Sequence, residues 1–82
     1  MTKNEVEEKV RTLFSEQLQV DREQVTPAAR FREDLDVDSL DLVEATLALE
    51  DALGVQIPEE EMEDVHTVGQ AVDLVAAKLG AA

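Results

Sequence analysis

Asp38-Ser39-Leu40-Asp41-Leu42-Val43-Glu44-Ala45-Thr46-Leu47-Ala48-Leu49-Glu50-Asp51-Ala52-Leu53-Gly54 is the stretch on which the fold turns. At about 100° per residue, Leu42, Ala45, Thr46, Leu49 and Leu53 share one side of a helix, the side assigned to a core. Thr46 is its one hydroxyl, and a helical Thr can return its hydrogen bond to a preceding carbonyl. Leu40, Val43 and Leu47 form a second stripe, displaced from the first. Glu44 and Asp51 border it on one side, with Asp41 beyond them, and Glu50 lies on the other. Two readings compete. One is a wide core stripe among solvated acids. The other is a partner face with apolar contacts inside a ring of acids. The helix is expected from Asp38 to about Leu53, with Gly54 as its stop. Asp38 and Asp41 have capping-box spacing, though Asp is a weaker fourth residue than Glu.

Working outward, the chain reads as all-α. Thr2 and Glu5 form a capping box, after which Val6, Val10, Leu13, Phe14 and Leu18 recur at helical spacing and fade near Gln19 to Asp21. A long connection follows, roughly Asp21 to Asp38. Structureless connections beyond about 12–15 residues are unusual in compact domains. Its apolar Val25, Ala28, Phe31, Leu35 and Val37 are therefore expected to pin it across the helices, with a short helical turn at Pro27 to Arg32. After Gly54, Pro58 suits the first turn of a short third helix, with Glu59 to Met62 behind it. Thr67 and Gln70 cap a fourth helix whose apolar face is Val68, Ala71, Val72, Val75 and Leu79, stopped by Gly80. Gly69 inside it either permits close helix approach or costs some stability. Only Ala81 and Ala82 remain as a tail. The expected architecture is a small four-helix bundle with a short third helix and a long loop between helices one and two.

The 82 residues suit one domain, 1–82. A chain this short buries about 60–65 % of its unfolded surface, so the core is small. There is no cysteine, hence no disulfide or cysteine-ligated metal. Twenty acids face seven Lys and Arg, a net charge of −13. Magnitudes of about 2–8 already keep a small domain soluble. Nucleic acid and anionic membrane are repelled by such a surface, and a basic protein is its complement. No run is long or apolar enough for a bilayer, and the N-terminus lacks a secretory pattern. A cytoplasmic monomer is the expected state. The Glu59-Glu60-Glu61 triplet, with Glu63 and Asp64, extends the negative field. It lacks the spaced calcium-loop pattern, so no dedicated metal site is expected.

Ser39 follows the expected cap, Asp38, at the first helical position. Its hydroxyl is not needed for capping and can face outward, where a phosphate would meet unpaired backbone N–H groups. A plain helix-start serine is the competing reading. The surroundings bear on the choice. Glu33-Asp34-Leu35-Asp36-Val37-Asp38-Ser39-Leu40-Asp41-Leu42-Val43-Glu44 closely resembles the attachment segment of acyl carrier proteins. Leu49 to Pro58 resembles their next segment, and Thr67-Val68-Gly69-Gln70-Ala71-Val72-Asp73 the start of their last helix. The likeness covers nearly the whole chain, in order. It implies that Ser39 receives 4′-phosphopantetheine from coenzyme A by way of a phosphopantetheinyl transferase. The arm's thiol then carries acyl groups as thioesters to acyl-processing enzymes with basic patches. It further implies partner contacts at Asp38, Leu40, Asp41, Glu44, Leu47, Glu50 and Asp51, with Glu59 and Glu63 on the short third helix. Leu49, Leu53 and Ile57 would lie near a folded-back acyl chain. The chain also departs from the pattern. Asp36-Val37 stands where Gly-Ala is common, Ala45 and Thr46 where larger apolar residues are frequent, and Leu53 where Phe is common.

Catalysis by Ser39 would need a base and an orienting group. His66 is the only histidine, and the Gly-x-Ser-x-Gly elbow is absent. A non-enzymatic carrier, with a lean toward fatty acid synthesis, is the expected function. The alternatives are a carrier for polyketide, very-long-chain or D-alanyl groups, or an unmodified acidic interaction module.

Overall fold

Four helices and one 3-10 turn follow in order, seen in a computed structural model that describes residues 1–80. The tail residues Ala81 and Ala82 lie outside the described residues. Helix α1 spans Lys3–Leu18, the 3-10 turn Arg22–Gln24, α2 Ser39–Leu53, the short α3 Glu59–Met62 and α4 Val68–Leu79. The capping boxes of α1 and α4 are both complete, with Thr2 and Thr67 paired to Glu5 and Gln70. Gly54 and Gly80 end α2 and α4 in the left-handed conformation. Pro58 stands one place earlier than expected, as the cap of α3 rather than inside it. Its fixed φ suits either place, and the first helical turn starts at Glu59.

Helix α1 packs against both α2 and α4. It buries Val6, Val10 and Phe14 completely, and these meet Ala45 and Leu49 of α2 and Val68, Val72 and Val75 of α4 in one core. Each of the Val, Leu and Phe side chains contributes roughly 1.5–3 kcal/mol on full burial, and Ala45 less. Thr46 is the one buried polar residue among the described residues, and its hydroxyl donates to the Leu42 carbonyl at 2.7 Å.

The long connection is fastened rather than free. Val25, Phe31, Leu35 and Val37 are buried as expected, but Ala29 takes the inward place expected of Ala28. The reason is a turn at Pro27–Ala28 that leaves Ala28 outside. No helical turn forms at Pro27 to Arg32; the helical turn of the loop is instead Arg22–Gln24. Phe31 packs edge-to-face with Phe14, with centroids 5.3 Å apart at 84°. Arg11 reaches from α1 to the Val25 carbonyl at 2.6 Å. The loop also forms a short backbone seam with the start of α4. The N–H of Phe31 donates to the His66 carbonyl at 3.0 Å, that of Val68 to Ala29 at 3.0 Å, and that of Gly69 to Pro27 at 2.9 Å. This explains Gly69: a Cβ there would stand 2.9 Å from the Pro27 oxygen. The close approach is made by the loop, not by another helix.

Asp36 adopts φ 55°, the left-handed region that glycine occupies without strain. Asp is among the few other residues that visit it, at a cost of about 1–2 kcal/mol. The bend lets Val37 turn inward, 5 % exposed, while Asp38 and Ser39 stay outside. Asp36→Gly is therefore expected to be more stable than Asp36→Ala by about 1 kcal/mol. Both variants remove the same charge, so the difference in urea midpoint at constant m isolates the backbone.

Candidate functional site

Asp38 ends the loop in extended conformation and caps α2, its carboxylate accepting the Asp41 N–H at 2.8 Å. The reciprocal bond of a full capping box is not made, since the Asp41 side chain is one carbon shorter than Glu. With the cap supplied by its neighbour, Ser39 is the first residue of α2 and is exposed. Its Oγ accepts a hydrogen bond from Arg32 Nη2 at 3.0 Å. Arg30, two residues earlier, is instead committed to Asp34 and Glu33. Its bonds hold the Asp34 carboxyl below the usual carboxylate value.

His66 lines a groove with Ser39, together with Phe31, Val37, Leu42 and Val65. No hydrogen bond joins the imidazole to the serine, and the partner of Ser39 is a guanidinium, which cannot act as a base. The hydroxyl is open, a recess lined by Arg32, Asp36, Val37 and Asp38 lies beside it, and a cation touches it. Among the described residues no cluster of acids and histidine is arranged to hold a metal, and no helix is long and apolar enough to cross a membrane.

The second stripe of α2 stands uncovered. Leu40, Val43 and Leu47 are 66 %, 50 % and 58 % exposed. Asp41, Glu44 and Asp51 are exposed around it, as are Glu59 and, at the end of α3, Glu63. Glu50 differs. It is half-buried, and its Oε2 accepts the Ile57 N–H at 2.8 Å, tying α2 to the link before α3.

Leu49, Leu53 and Ile57 do not gather in one place. Leu49 and Leu53 line a cleft of about 320 Å³ between α1 and α2, whose rim includes Glu8, Lys9, Thr12 and Glu16. Ile57 lines a cleft of about 310 Å³ on the other side of α2, with Leu42, Val43, Thr46, Leu47 and Met62. Volume does not separate the two; lining does, because the second has fewer charged neighbours. Leu42 is shared between this cleft and the groove beside Ser39, so the two adjoin. Sequence reasoning missed Arg32 and Met62. Arg32 had one signal, a cation in an acid-rich stretch shortly before the serine. Met62 had only an apolar character within the short helix.

The phosphopantetheine attachment site family matches residues 8–75. An acyl carrier protein of Rubrobacter xylanophilus is 49 % identical over 75 residues, covering 92 % of this chain and 93 % of the relative. One from Guillardia theta is 46 % identical over 81 residues, covering 99 % and 100 %. A solved structure of the acyl carrier protein from Enterococcus faecalis superposes with a TM-score of 0.76 at 37 % identity, covering 95 % of this chain and 99 % of that one.

The Glu50 bond to Ile57 separates structure from recognition at that acid. Glu50→Ala is expected to lower stability by about 1.5–3 kcal/mol and to speed hydrogen exchange at the Ile57 amide. Glu50→Gln keeps an acceptor oxygen and is expected to lose less than half of that. Chemical denaturation with amide-resolved exchange checks both.

Proposed function

Because this chain belongs to the acyl carrier protein family, we propose that it carries acyl intermediates of fatty acid synthesis on a 4′-phosphopantetheine arm joined to Ser39. Members of this family are carriers, not catalysts: they hold acyl groups as thioesters through the arm. The observation that carries the assignment to Ser39 is its hydroxyl, exposed at the first residue of α2 and freed from capping by Asp38. In the loading step the Ser39 Oγ–phosphorus bond forms, a phosphoanhydride bond of coenzyme A breaks, and the nucleotide portion leaves. The transferase takes up the hydroxyl proton. The arm supplies the thiol that this cysteine-free chain lacks.

The uncovered stripe supports α2 as the docking face. Leu40, Val43 and Leu47 would each be worth roughly 1.5–3 kcal/mol if fully buried, and on the isolated chain most of that is unclaimed. Asp38, Asp41, Glu44 and Asp51 surround them, with Glu59 and Glu63 extending the field, so a basic partner meets attraction at the rim and apolar contact at the centre. Glu50 contributes charge there while holding Ile57. For the acyl chain, the cleft between α2 and α3 is the better lined, and it adjoins the groove at Ser39 through Leu42. Ile57 would contact the chain there; Leu49 and Leu53 belong to the opposite cleft.

Incubation with coenzyme A, magnesium and a broad-specificity phosphopantetheinyl transferase is expected to raise the intact mass by one arm in wild type and not in Ser39→Ala. An unchanged wild-type mass would sink the assignment. For recognition, Glu44→Lys is expected to weaken binding to a condensing enzyme of fatty acid synthesis by ~10-fold or more, against less than ~3-fold for Glu23→Lys. Glu23 is exposed on the loop and makes no hydrogen bond or ion pair among the described residues. Affinities at several salt concentrations check this, and equal losses would mean diffuse attraction rather than a local face.

A further inference from the structure

Cations are scarce in this molecule, and nearly all are spoken for. Lys3, Arg11, Arg22, Arg30 and Lys78 are each paired with a carboxylate. Among the described residues, Lys9 and Arg32 are not. Lys9 lines the cleft between α1 and α2, away from the serine's groove. Arg32 alone is turned onto the serine, its Nη2 donating to Ser39 Oγ at 3.0 Å. This placement runs against the local charge. Glu33, Asp36 and Asp38 are close in sequence, and Asp36 and Asp38 line the same recess as Arg32. The backbone that carries Arg32 is fixed by its neighbour. Phe31 beside it is buried against Phe14, and the Phe31 carbonyl accepts the Val37 N–H at 2.8 Å, which folds the loop back toward α2.

We infer that Arg32 is a positioning residue for the arm, its guanidinium pairing with the phosphodiester once Ser39 is modified. The inference rests on the attachment reading above. After modification Oγ becomes a bridging ester oxygen, a weak acceptor. The anionic non-bridging oxygens are attached to the phosphorus bonded to it, and the planar, permanently charged fork of Arg suits them. The phosphodiester adds a negative charge next to Asp36 and Asp38; Arg30 also lines the groove but is paired with Asp34 and Glu33, which leaves Arg32 to offset it. The contact fixes the root of the arm on the loop side of Ser39, leaving the stripe of Leu40, Val43 and Leu47 clear. Because Arg32 is exposed, the pair is screened by salt, and a basic partner can displace it with its own cations.

The test uses the full chain as wild type, Arg32→Ala, Arg32→Lys and Lys9→Ala. Each is loaded enzymatically, with intact mass confirming one arm and thermal unfolding confirming the fold. Phosphorus NMR then follows the single phosphodiester resonance through a sodium chloride titration. In wild type the resonance is expected to move with salt. Arg32→Ala is expected to start at a displaced position and to lose that movement. Arg32→Lys should keep at least half of it, and Lys9→Ala, with the same change in net charge, should match wild type. Identical positions and titrations in wild type and Arg32→Ala would overturn the inference. An equal effect of Lys9→Ala would overturn it too, assigning the shift to the overall field. A wild type that gains no arm would remove the attachment reading and this inference together, whereas complete loading with unresponsive signals removes only the role of Arg32.

Discussion

The backbone seam between the long loop and the start of α4 is the constraint from which the rest of the structure follows. Three hydrogen bonds, Phe31 to His66, Val68 to Ala29 and Gly69 to Pro27, hold the loop where the helices alone would leave it undefined. The seam is short, and Gly69 is needed because it brings loop and helix backbones within the reach of a single Cβ. With the loop fixed there, Phe31 meets Phe14 in the core and the chain must turn back sharply to reach α2. The positive φ at Asp36 makes that turn. Ser39 is open because the loop that precedes it is shut.

Helix α2 carries two faces with opposite obligations. Ala45, Thr46 and Leu49 are buried against α1 and the core. Leu40, Val43 and Leu47 face away and are mostly exposed. A bundle of this size has little core to spare, and leaving three apolar residues outside it forgoes several kcal/mol in principle. The acids beside them keep such a patch soluble and give it a sign. Glu50 shows that the two obligations are not cleanly divided, since it adds to the acid ring while its carboxylate ties down Ile57.

Much of this was legible in the residues. Both Thr-led capping boxes, the Gly54 and Gly80 stops and the split of α2 into two stripes are local or periodic features, and they appear where the spacing puts them. The apolar residues of the loop were legible as anchors, but not their partners. Ala28 and Ala29 are alike in sequence, and only the Pro27–Ala28 turn decides which one faces inward. Leu49, Leu53 and Ile57 read as one lining, yet α2 stands between them, because Ile57 follows the link that crosses to the other side of the helix. Asp36 stood out only as a departure from Gly; its φ supplies the reason why Gly is suited there.

The helices, their ends, the charge of the surface and the candidate serine are written in the residues, because caps, periodicity and ionisable groups act within a few residues of one another. Where the loop crosses, which cleft adjoins Ser39 and which cation touches it are set by the folded chain. The crossing depends on backbone bonds between segments more than 30 residues apart, such as Phe31 with His66, and no local spacing encodes such a meeting. Arg32 needs the fold even at short range, seven residues from Ser39. In the sequence it is one cation among acids, and only the folded loop turns it onto the serine.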